Sequence, residues 1–137
     1  MIESFIGEIR MVAFQFAPQG WAACNGQLLP ISQNTALFSL LGITYGGDGR
    51  TNFALPDLRS RVPIHQGQGR GTSDRPLGES GGAETVPFKP AGAQIPKEPQ
   101  DPTAIYYVNA DQPVSNLPPY LVVNFIICIQ GYYPSRP

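Results

Sequence analysis

Between Gly7 and Phe16 hydrophobic and polar positions alternate in part, with Ile9, Met11 and Ala13 on one side and Glu8 and Arg10 on the other. A period of two predicts a strand. Ala17-Pro18-Gln19-Gly20 supplies a turn, and Trp21 to Cys24 reads as a short apolar strand closed by Asn25-Gly26. Asn-Gly is the strongest two-residue hairpin signal because both residues accept positive φ, so Gln27 to Leu29 is expected to return beside Trp21 to Cys24. Ser32-Gln33-Asn34 then offers an N-cap, Leu37, Phe38, Leu40 and Leu41 follow at helical spacing, and Gly42 stops the run. This predicts one short helix whose apolar residues anchor it to a sheet.

Tyr45-Gly46-Gly47-Asp48-Gly49 predicts a tight loop, and Phe53-Ala54-Leu55-Pro56 leads through Asp57 and Arg59 to Ile64. From Gln66 to Gly82 glycine recurs among Thr, Ser, Asp and Arg, so loops dominate there. Prolines at 87, 90, 96, 99 and 102 exclude a helix or central strand from that stretch and leave an extended arm or exposed loop. Ala104 to Val108 predicts a strand. After Pro118-Pro119, Leu121, Val123, Phe125, Ile127 and Ile129 share one face while Val122, Ile126 and Cys128 make the other largely apolar too. That predicts a strand buried on both faces, so the end of the chain must return to the centre of the core or of an oligomer. The fold class expected is α+β and β-rich: a single domain over 1–137, divided into a motif region at 7–64, Gly/Pro-rich loops or an arm at 65–103, and C-terminal strands and tail at 104–137.

Composition narrows the partners. Of 137 residues, 42% are hydrophobic and only 14% charged, which favours surface that is covered by other copies. A net charge of −1 provides no field to gather phosphates or anionic lipids, so nucleic acid is excluded as an expected partner. Fifteen glycines and fifteen prolines favour short strands and many turns over a helical bundle. Cys24 and Cys128 lie in apolar surroundings without metal-ligand spacing and are expected as buried free thiols. MIESFIGEIR lacks the basic and continuous apolar regions of a secretory signal, and Leu121 to Ile129 is too short to span a membrane, so membrane insertion is not expected.

Gly78-Glu79-Ser80-Gly81-Gly82 matches the G-x-S-x-G pattern of a nucleophile elbow, but the chain's one histidine, His65, precedes Ser80 where that order needs it to follow. A plain glycine turn is the expectation, and no enzyme is read. One His without further ligands holds no metal tightly, except where a three-fold axis would bring three copies together. Gly46-Gly47-Asp48-Gly49 and Gly67-Gln68-Gly69-Arg70-Gly71 lack the Lys-Ser/Thr and the following helix of a phosphate loop. No cofactor and no metal are expected. Arg59, Arg61, Arg70 and Arg75 suit acidic sugars or pairing with Asp57 and Asp74, the commoner outcome. Trp21 and the tyrosines 106, 107, 120, 132 and 133 suit stacking on sugars, although most aromatics serve a core.

The ordered features GEI at Gly7, Pro18-Gln19-Gly20-Trp21, Cys24-Asn25-Gly26, Leu29-Pro30-Ile31-Ser32-Gln33-Asn34, Tyr45-Gly46-Gly47-Asp48-Gly49-Arg50 and Phe53-Ala54-Leu55-Pro56-Asp57-Leu58-Arg59 resemble the phage tail collar domain, most closely its microcystin-dependent-protein-like members. Resemblance resumes in PYLVVNFIICIQGYYPSRP from Pro119. It implies a β-rich domain with one short helix, trimeric assembly in tail fibres or baseplates, and no established catalysis. Between Gly82 and Pro118 the clustered histidines expected of some relatives are replaced by Gln94-Ile95-Pro96-Lys97, so metal binding does not carry over.

The expected function is a phage-tail-like collar or fibre module, placed on a virion tail or an extracellular appendage. It assembles as a homo-oligomer, a trimer or polymer, and attaches to a cell-surface glycan or to a tail or baseplate protein. A self-assembling filament subunit is the alternative. The binding residues expected are Tyr45, Asp48, Arg50, Gln66, Gln68 and Arg70. Leu121, Val123, Phe125, Ile127, Ile129, Tyr132 and Tyr133 are the expected oligomer interface.

Overall fold

A computed structural model describes residues 3–87 and 113–137. The described elements are β1 (Ile9–Val12), β2 (Trp21–Ala23), β3 (Leu28–Pro30), a 3-10 turn (Ile31–Gln33), α1 (Thr35–Leu41), β4 (Asn52–Ala54), β5 (Thr85–Pro87), β6 (Pro113–Ser115) and β7 (Asn124–Cys128). Short strands with one seven-residue helix make a β-rich α+β fold. The chain divides into two compact units, one of Met1–Ser80 with Leu121–Pro137 and one of Gly81–Tyr120. The sequence-predicted strand at 104–108 and the proline-rich stretch at 88–102 lie outside the described residues.

In the first unit the C-terminal strand is central: β7 pairs antiparallel with β1 (Ile9 opposite Ile127, Val12 opposite Asn124) and with β2 (Trp21 opposite Cys128). The end of the chain therefore does return to the core. Beyond β7 it is tied to the N-terminus, Ile6 N–H donating to Tyr132 O at 2.8 Å and Tyr132 N–H to Ser4 O at 2.9 Å. One face of the sheet contributes Ala22 and Ile127 to a core completed by Ile6, Cys24, Leu37, Phe53 and Leu55. On the other face Ile126 and Cys128 are also buried. Arg10 and Trp21 stand on that face, on the two strands flanking β7, and the guanidinium lies 5.2 Å from the indole centroid. This cation–π pair spans the central strand on the face that holds Ile126 and Cys128.

Four expectations change. The Asn25-Gly26 hairpin does not form: β3 pairs with β4, Leu29 opposite Phe53, and not with β2. A type I′ turn needs positive φ at both central residues, and only Gly26 has it, at 75°. The Asn25 carboxamide instead accepts from Gln27 N–H, Gly26 N–H donates to Pro56 O, and the chain passes from one sheet to the other. The strand expected over 7–16 is only β1, and Ile9 and Met11, although on the core side of the sheet, lie beyond the core's margin and are exposed. The strand expected over 121–129 begins at Asn124, leaving Leu121, Val122 and Val123 exposed. Asn34 does sit at the N-cap of α1 but makes no capping bond, its side-chain NH2 donating to Pro30 O at 3.0 Å. Gly42 stops the helix with φ 54°, as the sequence predicts.

In the second unit β5 and β6 form an antiparallel ribbon, Val86 opposite Val114, extended by Asn116 N–H donating to Glu84 O at 2.9 Å. Pro87 stands at the end of β5, and among the described residues the ribbon is two-stranded, so both strands are edges where proline is tolerated.

Candidate functional site

The 45–50 loop is organised around one carboxylate. Asp48 Oδ1 accepts from the N–H groups of Arg50 (2.8 Å), Thr51 (2.8 Å) and Asn52 (3.0 Å), Oδ2 accepts from the Thr51 hydroxyl (2.7 Å), and Asn52 Oδ1 accepts from Asp48 N–H (2.9 Å). These donors, the Asn52 backbone foremost, hold the Asp48 carboxyl well below the usual carboxylate range. Asp48 shapes the loop from inside and leaves little acceptor capacity for a ligand. A group whose folded pKa is depressed stabilises the fold above its unfolded pKa of about 4 and loses that contribution as pH falls below it. Asp48→Asn is accordingly expected to lower Tm at pH 7 and to flatten its decline between about pH 5 and pH 2, measured by thermal melts across pH. An unchanged acid slope would refute this role.

Tyr45 is half-buried, and burial, then the nearby Cys24, raises its hydroxyl pKa. Arg50 is exposed at the loop surface. In the 66–82 loop, Gly67 and Arg75 exchange both backbone hydrogen bonds (2.8 and 3.0 Å), and the Gln68 side chain donates to Thr72 O at 3.0 Å. Gln68, like Asp48, is spent on its own loop. Gln66 and Arg70 are exposed. Gln66 also lines a depression of about 70 Å³ with Ile64, Arg75, Pro76, Leu77, Gly78 and Glu79. That is small beside the roughly 300–1,000 Å³ of a small-molecule pocket, so a ligand here would be held at its edges.

Of Arg59, Arg61, Arg70 and Arg75 only Arg59 makes an expected pair, and among the described residues Arg61 and Arg70 form no ion pair. Arg59 grips Asp57 through Nε and Nη2, both at 2.9 Å, which draws the Asp57 carboxyl down to about 2, and Arg75 lies 3.6 Å from Glu79 instead of reaching Asp74. Ser80 is exposed in a glycine turn, not on a strand-to-helix elbow. Gly78 has its own reason to be glycine: a Cβ there would lie 2.6 Å from Thr44 O. His65 is exposed, with Nδ1 2.6 Å from the carbonyl oxygen of Gln66. Among the described residues no three His, Cys, Asp or Glu side chains group closely enough to hold a metal. Both cysteines are buried and unpaired, and burial pushes the Cys24 thiol up to about 11.

Of the residues expected at an oligomer interface, Ile127 is wholly enclosed in its own core, and Phe125 and Ile129 are half-buried against it. Leu121, Val123, Tyr132 and Tyr133 are exposed, and Tyr133 shares a 2.8 Å hydrogen bond with Ser39. Sequence reasoning missed Met11, Phe14 and Phe16, and placed Val122 between subunits only in the filament alternative. The Phe14 and Phe16 rings lie 5.0 Å apart, and Asn124 ties this end of β7 to Phe14 O at 2.7 Å, so these residues gather with Leu121 and Val123 at one end of the sheet. The signal was available: residues 11–47 and 113–135 contain no charged side chain.

The geometry on this chain is thus a carboxylate-pinned glycine loop, a bridged second loop and an apolar sheet end. Residues 7–63 match the family model for the Phage Tail Collar Domain, a structural domain of phage tails. No curated protein matches the chain. Among the described residues no helix is long and apolar enough to cross a membrane.

Proposed function

We propose that this chain is a phage-tail-like collar module that assembles as a homo-oligomer and presents loops 45–50 and 66–82 to a cell-surface glycan or another tail component. Arg50, Gln66 and Arg70 are the contact residues of those loops, and Tyr45, Asp48 and Gln68 keep them in shape. The match over 7–63 supports the tail setting. The motifs from Gly7 to Arg59, with the tail from Pro119, favour the microcystin-dependent-protein-like group within it.

The observation that carries self-assembly is the uncharged apolar end of the sheet, where Leu121 is 88% exposed, Val122 79% and Met11 70%. Interfaces between permanently associated copies are apolar and depleted of charge, whereas contiguous patches of this kind are rare on soluble monomers. Trimers are the count that the resemblance implies.

Leu121→Asp and Val122→Asp each remove apolar area from a site exposed in the single chain. Each is expected to raise the concentration needed for assembly at least about tenfold, read by native mass measurement. The Tm of the isolated chain should hold, since exposed substitutions cost within about 0.5 kcal/mol. Wild-type protein that stays monomeric and binds no cells would overturn the proposal. Filaments in electron micrographs of concentrated protein would replace it with the self-assembling appendage subunit.

A further inference from the structure

We propose that β1 is an assembly edge, pairing antiparallel with β1 of a second copy about a two-fold axis at Ile9. The inference rests on the self-assembly reading and adds the strand, the register and the symmetry. It begins from backbone accounting. Cys128 N–H donates to Glu8 O, whereas on the other side of β7 Cys24 N–H donates to Phe125 O and Ile129 N–H to Gly20 O. Pairs that exchange hydrogen bonds alternate along an antiparallel ladder, so residues 8, 10 and 12 bond to β7 and the N–H and C=O groups of Ile9 and Met11 point away from it. Among the described residues no strand takes up these groups, because β1 is the terminal strand of its sheet.

Natural sheets block such edges with lysine, proline or an inward-pointing charge, and Glu8-Ile9-Arg10-Met11 places none of these on the outward-bonding positions. The side chains select the partner. In a pairing centred on Ile9, the two copies of Ile9 exchange hydrogen bonds at the axis and Glu8 of each chain lies opposite Arg10 of the other. The Glu8 and Arg10 side chains already meet at 3.0 Å within one chain, so the dimer would close a ring of four alternating charges on one face. Moving the centre to Arg10 would set two arginines against each other, and opposed like charges destabilise a sheet. A second copy carries the complementary sequence at the required spacing, Glu8 and Arg10 two residues apart. A two-fold contact closes on itself and leaves the apolar end of the sheet available for a separate interface.

The test is a pair of single-cysteine probes in the full chain. At a hydrogen-bonded axis position the two Cα atoms are about 5.5 Å apart, within disulfide reach, whereas the two copies of residue 11 would be about 14 Å apart. Cys24 and Cys128 are buried, so an introduced thiol is the exposed one. Under diamide, Ile9→Cys is expected to form a covalent dimer at least tenfold faster than Met11→Cys, each variant keeping the wild-type circular dichroism. As a second readout, Glu8→Arg alone and Arg10→Glu alone should each lose the two-fold association that native mass reads in wild type, and an equimolar mixture should regain it by pairing one variant with the other. Equal or faster crosslinking at position 11, or a mixture that fails to recover, overturns the edge register. If wild type still forms oligomers in that case, the self-assembly reading survives without this contact; a wholly monomeric wild type overturns both.

Discussion

Gly47→Ala is expected to destabilise the fold by about 3 kcal/mol or more, enough to lower Tm by roughly 10 °C. Two independent penalties meet at this position. Gly47 has φ 96°, a conformation that L side chains rarely adopt. A Cβ built there would also lie 2.4 Å from Phe53 Cα and 3.0 Å from Asn52 O. These are backbone atoms of β4, which cannot rotate aside, so relief requires the 45–50 loop to lift from the sheet and surrender its Asp48 hydrogen bonds. Urea unfolding monitored at the tyrosines would read the loss, and a cost below about 1 kcal/mol would show that the loop is not seated on β4. The same variant should weaken any ligand that depends on Arg50, because the loop's shape and the fold's stability share one contact.

Phe53→Ala is the second large effect, expected to cost about 3–5 kcal/mol. Phe53 is wholly buried at the centre of β4, with its ring 5.4 Å from that of Phe38 on α1, and it packs in the cluster that also holds Ile127 and Leu37. Removing the ring leaves a cavity between the helix, the β3–β4 pair and the main sheet. Phe53→Leu refills most of that volume and should recover more than half of the loss. If both substitutions cost the same in urea titrations, the core would lie elsewhere. Because the Gly47 and Phe53 positions touch, the double variant should cost less than the sum of the two.

Much of the fold was legible from residue types. Leu37, Phe38, Leu40 and Leu41 before Gly42 marked the helix, and the two-sided apolar pattern around Ile126 and Ile127 marked the central strand. Both signals are local, since periodicity and a stop residue require no partner to be read. The candidate loops were found for the same reason, glycines and a short acidic side chain being recognisable turn chemistry. Which loop residues keep free polar groups was not legible, because the hydrogen bonds that occupy Asp48 and Gln68 are set by the folded loops.

The hairpin shows the opposite limit. Asn25-Gly26 is the right dipeptide for a turn, but register and pairing are non-local: β3 gains a better partner in β4, and Gln27 and Pro56 supply the bonds that carry the chain across. The outward position of Met11 could not be read from alternation either, since a period of two separates the faces of a strand without saying how far a core extends beneath each.

The order of residues alone therefore determined the β-rich class, the short helix at 35–41, the buried thiols and the scarcity of charge. Folding in three dimensions decided that the last strand lies between the first two and that one carboxylate is spent on building its loop. It also decided that Ile127 is sealed inside while Leu121 and Val122 face outward. The physical reason is that exposure belongs to a residue's neighbours in space: the same aliphatic run supplies a core where two strands flank it and an open apolar surface where they end.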